Sequence, residues 1–344
     1  MAVAAGALFL WEGCSRTADL APEPGSSELI SFGAETLLLR NADTKTTTDE
    51  FTENGESFKV FGERVTSSGV KTNVFDGVEI THHYTQSLDY WDYEDPRPWI
   101  WGSQSERYDF VAIYPAREET QNEYAAGNLS VSTHYDYLTG APNGGDTYDI
   151  LAATYRRNGA DWGGRYNIVP LNFSHMGSAV GVKITNTSST KIATIVSIHY
   201  ENLVVSANAR ASLDNYGQSA LRWTNLSPSD TPVRRLAKSP ATEIGPGDTY
   251  PDDAELNYQI MIPQNLVTYG AQLVVTYKVD DIQDSAVIIL KDVERNDGSK
   301  ITSWDIGYKY TYNVSMRLDG GLLVTVTTTP WDVPVEGETP GILI

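Results

Sequence analysis

From residue 29 onward the chain reads as short apolar–polar alternations separated by turn residues. Ile30, Phe32 and Ala34 alternate with Ser31, Gly33 and Glu35, the period-two pattern of a half-buried strand. Apolar character continues through Leu37 and Leu39, so one strand is predicted over 29–39. A polar, Thr-rich loop follows over 41–50, and a short strand over 58–62 comes after the Asn54-Gly55 turn signal. The run 108–115 reads as a fully buried strand closed by Pro115. The run 149–155 fits either a strand or a short helical turn, because Ala152 and Ala153 favour neither. A second series begins at Ile168 and enters 179–184, where Val180, Val182 and Ile184 share one face. Further strands are predicted over 191–200, 255–262, 272–279, 285–290, 308–317 and 322–329. No long amphipathic helix with caps interrupts them, and no fixed-period repeat relates the two halves. Many short strands with polar connections predict an all-β fold of sandwiches.

Length divides this pattern. At 344 residues the chain exceeds the usual size of one domain, so two tandem sandwiches are expected, over 28–171 and 172–344. With 40% hydrophobic and 20% charged residues, there is apolar material for packed cores, which excludes wholesale disorder. The formal net charge of −20 repels nucleic-acid phosphates and anionic lipid head groups, so a nucleic-acid partner is excluded.

The single cysteine, Cys14, permits no internal disulfide and no cysteine-based zinc site. It follows an apolar run over 2–11 of signal-peptide length, with Gly13 before it. A small residue and a cysteine after such a run mark a lipoprotein cleavage site. The expectation is a signal peptide over 1–14 with lipidation at Cys14, then a Pro- and Ser-containing tether over 15–27. That arrangement implies export and anchorage to a membrane surface by acyl chains. No apolar run reaches the ~20 residues of a spanning helix.

Catalytic signatures are missing: there is no nucleophile elbow, P-loop, dinucleotide fingerprint, HExxH or EF-hand loop. The glycine-rich run 142–146 reads as a turn. No cofactor or metal is expected. The adjacent pair His82 and His83 would point to opposite sheet faces and is read as surface histidines. His175 is read as a hydrogen-bonded structural residue, and His134 and His199 have no evident acidic neighbour. The acidic–aromatic stretch 84–101 admits three readings. Trp91, Trp99 and Trp101 fill a core, or stack on a surface glycan, or stand beside carboxylates such as Asp89 and Glu94 in a glycosidase cleft.

Several stretches resemble the fimbrillin family of Bacteroides-type bacteria, pilus subunits and adhesins exported as lipoproteins. They are 58–62, Trp99–Trp101 with 108–115, 149–153, 169–175 with 180–184, 258–264, 304–312 and the closing Pro330-Trp331. The resemblance implies two transthyretin-like β-sandwiches, no enzymatic activity, and assembly with other fimbrial subunits by strand exchange. In that family an arginine-specific protease removes the first strand, and a neighbouring subunit's strand replaces it. Carried onto this chain, the exchanged strand holds Ile30, Phe32, Leu37 and Leu39, and Arg40 is the scissile residue. The segment 332–344 contains Pro334, Pro340 and Gly341, a poor ladder donor, which points to a tip or accessory subunit over a shaft subunit. The expected partners are other subunits, the outer membrane, and a surface glycan or protein. The alternative reading is an outer-surface glycan-binding lipoprotein that uses the 84–101 aromatics.

Overall fold

A computed structural model describes residues 30–36, 51, 53–85, 89–93, 101–102, 105–122, 128–136, 149–158, 168–214, 216–228, 242–251, 258–317 and 321–331. The described chain is all-β. Its one α-helical segment with caps, Leu266–Tyr269, is a single turn started by Asn265, whose Oδ1 accepts from Val267 and Thr268 N–H at 2.9 and 2.8 Å.

A seven-stranded sheet organises the first half. Its strands run in the order Ser31–Thr36, Ile168–His175, Leu151–Arg157, Arg107–Tyr114, Ser57–Val65, Lys71–Tyr84 and Asp89–Asp92. The sheet rolls until its two edge strands meet, where the Tyr93 hydroxyl donates to the Ile30 carbonyl at 2.9 Å. The inside of the roll is aromatic: Phe32, Phe51, Phe58, Phe75, Phe110 and Phe173 are all buried there. Gly62 makes room, since a methyl group at that position would stand 2.9 Å from the Phe110 ring. The outside of the roll is apolar too. Phe61, Val111, Ile113 and Ala152 join a second core with Val131, Tyr135, Ala207 and Ala209. Arg107–Tyr114 therefore serves two cores, which is why it lacks alternation and is buried from Tyr108 onward. The 149–155 run resolves as the strand Leu151–Arg157.

That second core is covered by a four-stranded sheet ordered Ser219–Pro228, Val204–Leu213, Ser130–Asp136 and Gln121–Asn122. Two of its strands come from the second half of the chain. Val204–Leu213 pairs antiparallel with Ser130–Asp136, so a hairpin from beyond residue 200 covers the first unit. The boundary expected at 171/172 falls inside Ile168–His175, and the chain leaves the rolled sheet at Met176-Gly177. There Met176 N–H donates to Ile150 O at 2.8 Å, and its own carbonyl accepts from Trp223 Nε1 at 2.7 Å.

The second unit stacks two further sheets. One is centred on Ser178–Asn186, Tyr308–Arg317 and Gly321–Pro330; the other is ordered Thr242–Ile244, Ala193–Glu201, Gln272–Val279 and Ile282–Ile289. Between them Trp304 donates from Nε1 to the Tyr312 hydroxyl at 3.0 Å and meets Tyr200 edge-on at 5.9 Å. Burial raises the pKa of the Tyr310 and Tyr312 phenols well above the ordinary tyrosine value. The core is continuous with that of the first unit, from Phe61 through Val180 to Val326.

Candidate strand-exchange groove

The first strand, Ser31–Thr36, is a stave laid into the seam of the rolled sheet. Its ladder is parallel to Ile168–His175, with Phe32 opposite Val169 and Ala34 opposite Leu171. Gly33 permits this approach, since a methyl group there would stand 3.0 Å from Ile168 Cγ2. On its other side the Tyr93 hydroxyl donates to Ile30 O. The long stretch between the two strands in sequence supplies the crossover that a parallel pair requires.

Period two sends Ile30 and Phe32 inward, and they are 1% and 4% exposed. Phe32 meets Phe75 edge-on at 5.2 Å, Phe110 at 5.6 Å and Tyr93 at 6.3 Å. Burying each of these side chains stabilises the fold by roughly 1.5–3 kcal/mol. Without the strand, an aromatic floor and the edge of Ile168–His175 would face water together. Such an edge is a pairing template for another chain.

Of the other residues expected in this site, Leu37, Leu39 and Arg40 lie outside the described residues, as do Cys14, Trp99, Glu94 and the run 142–146. Trp91 packs among Phe51 at 5.1 Å, Phe58 at 4.8 Å and His82 at 4.6 Å. Trp101 is 6% exposed, meets Tyr108 edge-on at 4.8 Å, and carries the Arg157 guanidinium 4.2 Å above its ring. Both tryptophans therefore help to build the aromatic core. Tyr108, beside Trp101, has its pKa raised, chiefly by burial.

The histidines need correction. His82 is buried, not a surface residue, with Nδ1 3.0 Å from the Glu53 carbonyl oxygen and its ring stacked on Trp91. The nearby strand Asp89–Asp92 makes this face a core face, which the His-His pair alone did not indicate. His199 does have an acidic neighbour: Nε2 lies 3.1 Å from Glu201 Oε1, two positions along the same face. His175 is hydrogen-bonded to the buried Asp149, and its ring stacks on Trp331 at 3.8 Å with a 6° interplanar angle. Asp149 and Trp331 were not legible as its partners, because they lie far from it in sequence in both directions. Among the described residues, no cluster of His, Cys, Asp and Glu has the arrangement of a metal site, and no helix is long and apolar enough to cross a membrane.

The fold and the groove define an all-β protein whose first strand contributes Ile30 and Phe32 to its core. The chain belongs to the fimbrillin-like family, whose model matches residues 44–331. Among solved structures, a candidate cell adhesion protein from Bacteroides uniformis ATCC 8492 is 16% identical, covering 90% of this chain and 99% of its own, at a TM-score of 0.49. A second, from Bacteroides ovatus ATCC 8483, is 12% identical, covering 89% and 98%, at 0.47. A fimbrilin from Porphyromonas gingivalis W83 is 8% identical, covering 89% and 99%, at 0.44. Comparison with curated proteins gives no match.

Proposed function

We propose that the chain is a non-enzymatic fimbrial subunit or adhesin of the cell surface, joined to its neighbours by β-strand exchange at the groove that Ile30–Thr36 fills. Family membership supports the fimbrial role. The exchange step is carried by one observation. The strand that plugs the aromatic core with Ile30 and Phe32 is also, among the described residues, an edge strand with a single ladder. In this reading Arg40 is the processing site, and the residues up to it leave with the strand. The Leu37 and Leu39 side chains belong to the exchanged segment. Lipidation at Cys14 anchors the precursor to the outer membrane until processing. The Pro334, Pro340 and Gly341 interruptions support a tip or accessory place in the fibre.

The test is limited digestion of the purified chain with an arginine-specific protease. The expected product begins at Asn41, loses Phe32 from the fold, and forms ordered oligomers with subunits that offer a free strand. Resistance of Arg40, or a trimmed product that stays monomeric beside such subunits, overturns the exchange step. Labelled palmitate entering the wild-type chain but not Cys14→Ser checks the anchor separately.

A further inference from the structure

The second unit has an open edge of its own. Ile282–Ile289 ends its sheet and, among the described residues, is hydrogen-bonded to one strand, Gln272–Val279. The register places Asp284 opposite Tyr277, Ala286 opposite Val275 and Ile288 opposite Leu273. Val275 and Leu273 are buried, so these three edge residues face the opposing sheet, while Val287 and Ile289 turn outward. Val287 is 57% exposed and Ile289 41%. Between this edge and Gly321–Pro330 runs a cleft of about 520 Å³, lined by Asp284, Ala286, Ile288, Asp292, Leu322 and Val324 among others. An unpaired strand edge that carries exposed Val287 and Ile289, beside a cleft of mixed polarity, is a surface that soluble proteins ordinarily cover.

The chemistry of the cleft selects what covers it. Among the described residues its lining includes two carboxylates, Asp284 and Asp292, and no Lys or Arg. Asp292 has an exposed partner in Lys300 at 3.4 Å, whereas Asp284 accepts from the Tyr277 hydroxyl at 3.5 Å. The Tyr277 pKa is raised by burial and then by the Asp284 charge. A covering strand needs small apolar side chains beside Ala286 and Ile288 and a cation level with Asp284. A second copy of 282–289 (Ile-Gln-Asp-Ser-Ala-Val-Ile-Ile) carries no cation, and neither does 332–344. The net charge of −20 adds repulsion between copies.

We propose that the Ile282–Ile289 edge is an acceptor for an extended segment of a different polypeptide, one that alternates small apolar residues and places Lys or Arg opposite Asp284. Main-chain pairing supplies attachment, and the cleft and Asp284 supply selection. The site is separate from the groove of the first strand and does not depend on its exchange.

The test uses the full, unprocessed chain, so its outcome is independent of Arg40. The probes are fluorescein-labelled Thr-Lys-Thr-Val-Thr-Val-Thr, its reversed sequence, and both with Glu in place of Lys. Anisotropy should show one Lys peptide binding at least tenfold more tightly than its Glu counterpart. Hydrogen exchange should slow at 282–289 when it binds. Asp284→Lys, at an exposed position, should reverse the preference, and Asp284→Asn should abolish it. Absence of binding, or a preference unchanged in both variants, overturns the proposal. Amides at 282–289 already protected in the dilute chain would assign the edge to a segment of this chain. Protection that grows with chain concentration would assign it to a second copy. Either result overturns a foreign strand.

Discussion

The buried His175–Asp149 pair shows how much rests on single side chains. The pair ties the end of Ile168–His175 to Asp149, two residues before Leu151–Arg157, and the Trp331 ring covers it. His175→Ala should cost about 3 kcal/mol or more, because it breaks a fully buried hydrogen-bonded pair and removes the ring that stacks on Trp331. Urea unfolding checks this, and a loss within 0.5 kcal/mol would remove the pair from the fold's essential contacts. The buried phenols make a second prediction. Tyr310 and Tyr312 stay protonated in the folded chain at pH values where the unfolded chain, near the ordinary value of about 10, has ionised. Folded groups then hold more protons, so their stabilisation is whole below about pH 10 and declines as pH rises. Each contributes a slope of about 1.4 kcal/mol per pH unit. Urea melts from pH 9 to 11.5 should show this decline, and Tyr312→Phe should remove its share.

At the scale of the element, the first strand is the informative one. Alternation of Ile30, Phe32 and Ala34 was legible, and so was burial on one face. Sequence could not say which strand it joins, because its partner, Ile168–His175, lies beyond most of the first unit. Phe32→Ala should destabilise the chain by about 3 kcal/mol or more through loss of contacts with Phe75 and Phe110. Ser31→Ala, at a half-buried position on the other face, should lie within 0.5 kcal/mol of the parent. Thermal melts of the two variants compare them directly, and equal effects would mean that the strand does not plug the core. Other strands were hidden by composition. Val204–Leu213 reads Val-Val-Ser-Ala-Asn-Ala-Arg-Ala-Ser-Leu, and its alternating alanines carry little hydrophobic signal, although Ala207, Ala209 and Ala211 are fully buried. Lys71–Tyr84 was masked by polar residues and by register shifts against Ser57–Val65.

For the whole molecule, the hairpin made by Val204–Leu213 and Ser219–Pro228 couples the two halves. It covers Val131 and Tyr135 of the first unit, and Trp223 meets Tyr135 edge-on at 5.8 Å. A fragment ending at residue 175 would expose that apolar face. It should therefore aggregate or stay partly unfolded, whereas one ending at 228 should include the hairpin and be better behaved. Size-exclusion chromatography with circular dichroism distinguishes them. A well-folded, monomeric 28–175 fragment would show that the hairpin is dispensable. The continuous core likewise predicts that unfolding of the full chain is more cooperative than the sum of two independent sandwiches.

The all-β class, most strand positions in the second half and the inward face of the first strand were legible from the order of residues along the chain. Those depend on local alternation and turn chemistry, which act over a few residues. Tertiary structure alone decided that the first sheet rolls shut on an aromatic interior, that His82 is buried against Trp91, and that a hairpin from the second half roofs the first. It also decided that Ile282–Ile289 is an edge. Each of these depends on which distant strands pair, and pairing is settled by the burial of whole faces rather than by any residue's neighbours in the chain.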